Sequence, residues 1–297
     1  MADIYTSSAI IVSGVYAEMI QEAALDALQA TPVIAPLVYN VNCEGIPSKS
    51  YSIPIYPTLT ASSIGETADL TSTAFTPTDA VISISEYGWM TIQTDIARDN
   101  SVFKGLAADI GTAAGQAIGR QVDTTLAALF DNLNGNTAIG TSGTAITINN
   151  FLAAIYTLEN AKVTSDLVGV FHPLTIHVLR KVITASTATA VGWGQGPRNS
   201  LVAPKAQANG FIDNIYGVDV YQTTLCNTAN GATADRVGAI MGTGQQSALA
   251  LGTWRPVRVE FQRDASRRGT EIVVTSQFGA VELRDAAGVP IVTKGSA

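Results

Sequence analysis

The residues in this chain that could do chemistry are few, and their spacing argues against a catalytic centre. There are two histidines, His172 and His177. Five positions apart at the start of a helical pattern, they do not bring both imidazoles to one metal as an i, i+4 pair would. His172 stands directly before Pro173, where a capping or packing role fits better. Glu66 and Asp69 come nearest to paired carboxylates, but the segment around them has no regular period. Nothing there would hold an acid and a base at a fixed separation. Cys43 and Cys226 are the two cysteines, and they lack the paired spacing of a zinc or redox site. A disulfide between them is open from sequence. Two buried free thiols are the state expected of a chain made in a reducing compartment. Gly192-Trp193-Gly194-Gln195-Gly196 is glycine-rich, yet Trp193 and the following Pro197-Arg198 suit an exposed loop better than a phosphate cradle. No Gly-x-Ser-x-Gly elbow and no Gly-x4-Gly-Lys-Ser/Thr loop occurs. The expectation is a non-enzyme with no cofactor and no metal.

Composition points the same way. Charged residues make up 14% of the chain, against roughly 25% in ordinary soluble domains, so partners are expected to cover much of the surface. The net charge of −7 is uneven: residues 1–99 hold 11 acids and 2 bases, and residues 100–297 hold 13 acids and 15 bases. That asymmetry could give complementary patches between neighbouring copies or simply solvated faces. Arg255, Arg258, Arg263, Arg267 and Arg268 are interleaved with Glu260, Asp264 and Glu271. Mixed signs at strand spacing fit ion pairs better than a track along phosphates. Residues 1–14 lack a basic leader, and no stretch reaches the roughly 18 apolar residues that would span a bilayer. The chain is therefore expected inside the cell, away from membranes.

The elements that must position these residues are more informative. Tyr51, Ile53 and Ile55 alternate with polar neighbours, as do Ile82, Ile84, Met90 and Ile92, the period of half-exposed strands. Between them, residues 57–80 are rich in Thr, Ser and Pro. A compact hairpin would use about 2–5 loop residues, so this connection predicts an extended arm that buries itself on something else. Asp99-Asn100-Ser101 then offers an N-cap. Apolar residues recur at three- and four-residue spacing from Val102 to Leu133, which would be a helix of roughly 48 Å at 1.5 Å per residue. Gly105, Gly111, Gly115 and Gly119 pad its stripe for close approach, and Asn134-Gly135-Asn136 stops it. An amphipathic helix is predicted at 15–30, an extended run at 33–39, and a helix from Phe151 to about Ala161 capped by Asn149-Asn150. Further expectations are a buried strand at 168–171, a helix opening on Pro173, and a loop over 185–210. Strands are predicted at 218–223, 236–241, 257–262, 271–276, 281–283 and 289–292, with a hairpin tip at Arg267-Arg268-Gly269.

In this order the elements resemble the major capsid proteins of tailed bacteriophages. That is the shell fold named after coliphage Hong Kong 97 and shared with herpesviruses and encapsulins. The resemblance is carried by three passages. Ile64-Gly65-Glu66 through Phe75 and Ile82–Ile96 lead into Arg98-Asp99-Asn100-Ser101. Leu158–Lys162 leads into Val168-Gly169-Val170-Phe171-His172-Pro173. The third is Ile215-Tyr216-Gly217-Val218-Asp219-Val220. The resemblance implies an α+β fold with an N-terminal arm (1–44), an extended β loop (45–98), a peripheral domain with the spine helix (99–148), an axial domain (149–250) and peripheral return strands (251–297). It implies a homo-oligomer of pentamers and hexamers closing into an icosahedral shell around double-stranded DNA, without sequence-specific binding. Scaffold, portal and cement proteins are the implied partners, the virion the implied location, and the host cytoplasm the place of assembly. Implied subunit-interface residues are Glu66, Asp69, Phe75, Trp193, Arg198, Arg267 and Arg268. Some relatives cross-link through a lysine in the extended loop; residues 50–97 contain none, and Lys49 lies at its base, so that chemistry is not expected. An encapsulin-type nanocompartment shell and a β-rich surface-binding module are the alternatives.

Overall fold

The computed structural model describes residues 18–28, 32–57, 106–163, 165–179, 211–226 and 235–294, with most of 59–96. Trp193, Arg198, the 185–210 loop and the N-cap cluster at 99–101 lie outside the described residues.

The spine helix is Leu106–Ala127, 22 residues or about 33 Å. It ends well before Leu133, where the sequence pattern placed its stop. Beyond it, Asp131, Asn132 and Asn134 have side chains that compete for backbone bonds, and Gly135 is a poor helix former. The chain turns through a 3-10 segment, Phe130–Asn132, and still buries Phe130 and Leu133. Ala114, Ile118, Val122 and Leu126, four apart, form the buried stripe. A second stripe of small residues receives the helix within 18–28. A methyl group on Gly111 or Gly115 would run into the backbone carbonyls of Ile20 and Ala24. Gly111 and Gly115 serve this close approach, and the described part of the N-terminal arm packs on its own chain.

Two sheets flank the spine. The four-stranded sheet has the order β1-β9-β10-β4, from β1 (Tyr39–Asn42), β9 (Leu249–Asp264), β10 (Gly269–Glu282) and β4 (Ser85–Thr94). β1 runs parallel to β9, and the other pairings are antiparallel. The stretch expected to be extended at 33–39 instead opens with a 3-10 turn, Ala35–Leu37. Residues 271–276 and 281–283, read as separate strands, belong to one strand. Its irregularity lies where Pro256 of β9 has no N–H to give: the register shifts after Thr275, and the Ser276 hydroxyl donates to the Arg255 carbonyl at 3.0 Å.

The five-stranded sheet has the order β11-β8-β5-β7-β6, from β5 (Leu167–Phe171), β6 (Phe211–Ile215), β7 (Val218–Gln222), β8 (Asp235–Gly242) and β11 (Gly288–Lys294). Two outcomes correct the sequence reading. β6 was not anticipated. The last strand, expected from its place after the hairpin strands to finish their sheet, instead pairs with β8 in this one. The helix Ile148–Asn160 covers the sheet, and its N-cap is Thr147, whose hydroxyl accepts from the Asn150 N–H; Asn149 and Asn150 sit inside the first turn. One core joins both sheets to the spine helix through Phe130, Phe151, Phe171 and Phe278.

Candidate assembly surfaces

The arm is the third, separate sheet: β2 (Ser50–Ile55) pairs only with β3 (Thr78–Ser83), antiparallel. Its base has a small core of its own, where Ile82 meets Cys43, Ala250 and Trp254. Beyond Ile55 that core runs out. Tyr56 and Phe75 stack at 5.8 Å between ring centroids, yet remain 64% and 53% exposed. Leu59 and Ile64 are also exposed, as are Glu66 and Asp69. An aromatic pair that stays mostly wet has apolar area still to bury, worth on the order of 25 cal/mol per Å² once covered. Such a surface suits a partner.

The second projection is the tip of the β9–β10 hairpin. β9 is buried at its start and exposed toward Asp264. The Asp264 carboxylate accepts from the backbone N–H groups of Ser266 and Arg267 and from the Ser266 hydroxyl, which closes the turn and holds its carboxyl below the usual range. Arg267 pairs back to Asp264 at 3.6 Å, and Arg268 takes a left-handed φ of 48°. Arg263 forks onto Asp95 with two bonds of 2.6 Å, and Arg258 pairs with Glu260. Arg258, Arg263 and Arg267 thus form ion pairs, the kind of contact the strand spacing indicated. Glu66, Asp69 and Phe75 share the arm, while Arg267 and Arg268 share the hairpin tip. No hydrogen bond or ion pair joins the two groups among the described residues.

The groups that looked chemical serve structure. The Nδ1 of His172 accepts from the Leu174 N–H at 3.2 Å, capping the turn into the helix at 173–179. Burial, helped by Arg236, pushes its pKa below the ordinary value. Cys43 and Cys226 are free and buried, and burial raises the Cys226 thiol to about 12. Among the described residues no three His, Cys, Asp or Glu side chains gather as metal ligands.

One organising residue escaped the sequence reading. Asp123 is buried within the spine, and its carboxylate accepts from the N–H groups of Val33 (2.7 Å), Ile34 (3.0 Å) and Ala35 (3.3 Å). It pins the arm where it crosses the spine. Burial raises its pKa, and the three amides pull the other way. The available signal was an acid immediately after Val122 inside an apolar stripe.

No family model and no curated relative matches the sequence. Solved structures do match. A structure from Mycobacterium phage Che8 superposes at a TM-score of 0.63 and 19% identity, over 88% of this chain and 90% of that one. The capsid structure of cyanophage P-SCSP1u matches at 0.62 and 16%, over 86% of each chain. A virus-like particle from Pyrococcus furiosus matches at 0.57 and 11%, over 93% of this chain and 98% of that one. With its spine helix, two flanking sheets and separate two-stranded arm, this chain has the capsid fold of the tailed bacteriophages.

Proposed function

We propose that this chain is a structural shell protein that self-assembles through pentamers and hexamers into an icosahedral particle around double-stranded DNA. The observation that carries the reading is the arm, a two-stranded projection whose exposed Tyr56–Phe75 pair has no core of its own, in a chain with the capsid fold. In this mechanism residues 57–77 lie over an adjacent copy, with Glu66, Asp69 and Phe75 on one side of the contact and Arg267 and Arg268 on the other. Trp193 and Arg198 belong to a loop that meets its counterparts at the symmetry axes. An acidic subunit encloses DNA without gripping it, and scaffold, portal and cement proteins would complete the virion. Assembly would take place in the host cytoplasm, before any contact with a membrane. The chain performs no catalysis in this scheme.

The test is to express the chain and follow it by size-exclusion light scattering and negative-stain microscopy. Closed shells, tubes or capsomers are expected. A monomer that stays monomeric with and without co-expressed scaffold would overturn the reading. Deleting residues 60–76, which spares β2 and β3, is expected to leave a folded subunit that forms no closed shell.

The match to the Pyrococcus furiosus virus-like particle favours a second reading, a nanocompartment shell without a genome. Nuclease-protected DNA in particles from the native source would exclude it.

A further inference from the structure

The turn beyond the spine helix contains three consecutive left-handed residues: Asn134, Gly135 and Asn136, with φ of 54°, 61° and 58°. Single residues visit this region routinely; a run of three needs an external hold. Hydrogen bonds supply it. The Thr137 N–H donates to the Asn134 carbonyl at 3.0 Å, and Asn134 Nδ2 donates to the Thr137 carbonyl at 2.9 Å. The Gly135 N–H donates to both carboxylate oxygens of Asp285, at 2.8 and 3.0 Å. Asp285 opens the 3-10 turn Asp285–Ala287, by which the chain crosses from β10 to β11, from one sheet to the other. These bonds tie the foot of the spine helix to the inter-sheet crossover.

The same turn holds a pair of residues open to one spontaneous reaction. In Asn-Gly the glycine nitrogen can attack the asparagine Cγ, because no Cβ on the glycine shields it. The nitrogen gives up its proton, the N–Cγ bond forms, and the Cγ–Nδ2 bond breaks to release ammonia. Water then opens the cyclic imide at either carbonyl, leaving aspartate or isoaspartate. Ring closure requires the Gly135 nitrogen to stand on the same side of the Asn134 Cα–C bond as Cβ. The ψ of 42° at Asn134 puts it nearly opposite. Rotating it into place would break the Thr137 bond to the Asn134 carbonyl and pull the Gly135 N–H off Asp285. The folded turn therefore resists the reaction, although Gly135 is exposed to water. The product does not restore the turn. An aspartate side chain has no Nδ2–H for the Thr137 carbonyl and sets a carboxylate against that oxygen. Isoaspartate lengthens the main chain by one methylene.

We propose that Asn134-Gly135 is a latent deamidation site, held shut by the folded turn, whose conversion releases the foot of the spine helix from the crossover in one direction only. The latch lies within one chain and operates whether or not the chain builds a shell.

Peptide mass spectrometry of the full chain, held in mildly alkaline buffer with and without guanidinium chloride, tests it. Asn209-Gly210 and Asn230-Gly231, outside the described residues, report the same chemistry in the denatured sample. The reaction passes through the opened turn, so its rate tracks the open population. The native chain is expected to convert Asn134 at least about tenfold more slowly than the denatured one. Asp285→Ala is expected to raise the native rate by about threefold or more. Asn134→Asp, the product made directly, is expected to exchange amide hydrogens over 130–138 faster than the wild type. Equal native and denatured rates would overturn the latch, as would a folded Asp285→Ala that converts no faster. Protection in Asn134→Asp equal to that of the wild type would overturn the release. Should Asp285→Ala fail to fold, Asp285→Asn, which keeps the shape and loses the charge, takes its place under the same criteria.

Discussion

The arm and the five-stranded sheet draw on similar residues and reach opposite states. β2 places Tyr51, Ile53 and Ile55 on one face, and they are only partly buried. β5 carries Val168, Val170 and Phe171, and all three are buried. The difference is the number of layers available. β5 has β7 and β8 on either side and the 148–160 helix above it, with Phe151 tilted against Phe171 at 6.1 Å. The arm strands have each other and a small patch around Ile82 at their base. Stability is therefore concentrated in one region and unspent contact area in the other. The proposed shell role would use both, a packed body and a projection with apolar area left to cover.

The comparison breaks most visibly at Phe171. Its ring lies against Gly238 where a side chain would not fit, so Phe171→Ala is expected to cost about 3–5 kcal/mol in urea unfolding. A loss under about 1 kcal/mol would mean the five-stranded sheet is no more committed than the arm. Next is Asp123→Ala, which strands three amide donors at the arm crossing. About 1–3 kcal/mol is expected, together with faster hydrogen exchange in residues 18–28. Exchange there that stays as slow as in the wild type would show that the glycine stripe alone holds the arm.

A smaller effect depends on pH. Burial raises the folded pKa of Glu282, the last residue of β10, above its ordinary carboxylate value, to about 7. Its contribution is complete below the unfolded pKa and is lost as pH rises through about 7. The melting temperature should therefore decline between about pH 5 and pH 8 more steeply in the wild type than in Glu282→Gln. Parallel profiles would remove Glu282 from the account. Smallest for folding is Phe75→Ala, expected within about 0.5 kcal/mol of the wild type. Its consequence should lie in assembly, as fewer closed particles by light scattering. Normal particles would leave the exposed pair unexplained.

Much of the architecture was legible in the residues. Alternation at 51–55 and 257–262 located strands, and the apolar spacing read from Val102 to Leu133 located the spine, observed over Leu106–Ala127. The role of His172 at its own helix start was also readable, because it depends on near neighbours. The stop of the spine at Ala127 was not, since the apolar stripe continues through Phe130 and Leu133 although the backbone turns. The bonds of Asp123 and Asp285 were invisible for a different reason. Asp123 meets Val33, 90 positions away, and Asp285 meets Gly135, 150 positions away.

The sequence by itself determined the local periods, the low charge and the order of elements that resembles a capsid subunit. Those properties follow from adjacent side chains and backbone propensity, which act over a turn or a strand. Only the tertiary structure decided that the last strand crosses to the five-stranded sheet, that Gly111 and Gly115 admit the arm helix, and that one buried carboxylate fixes where the arm leaves. Each of these depends on which distant surfaces exclude water from one another, and hydrophobic burial is non-directional. A stripe specifies that it will be covered; the assembled layers specify by what.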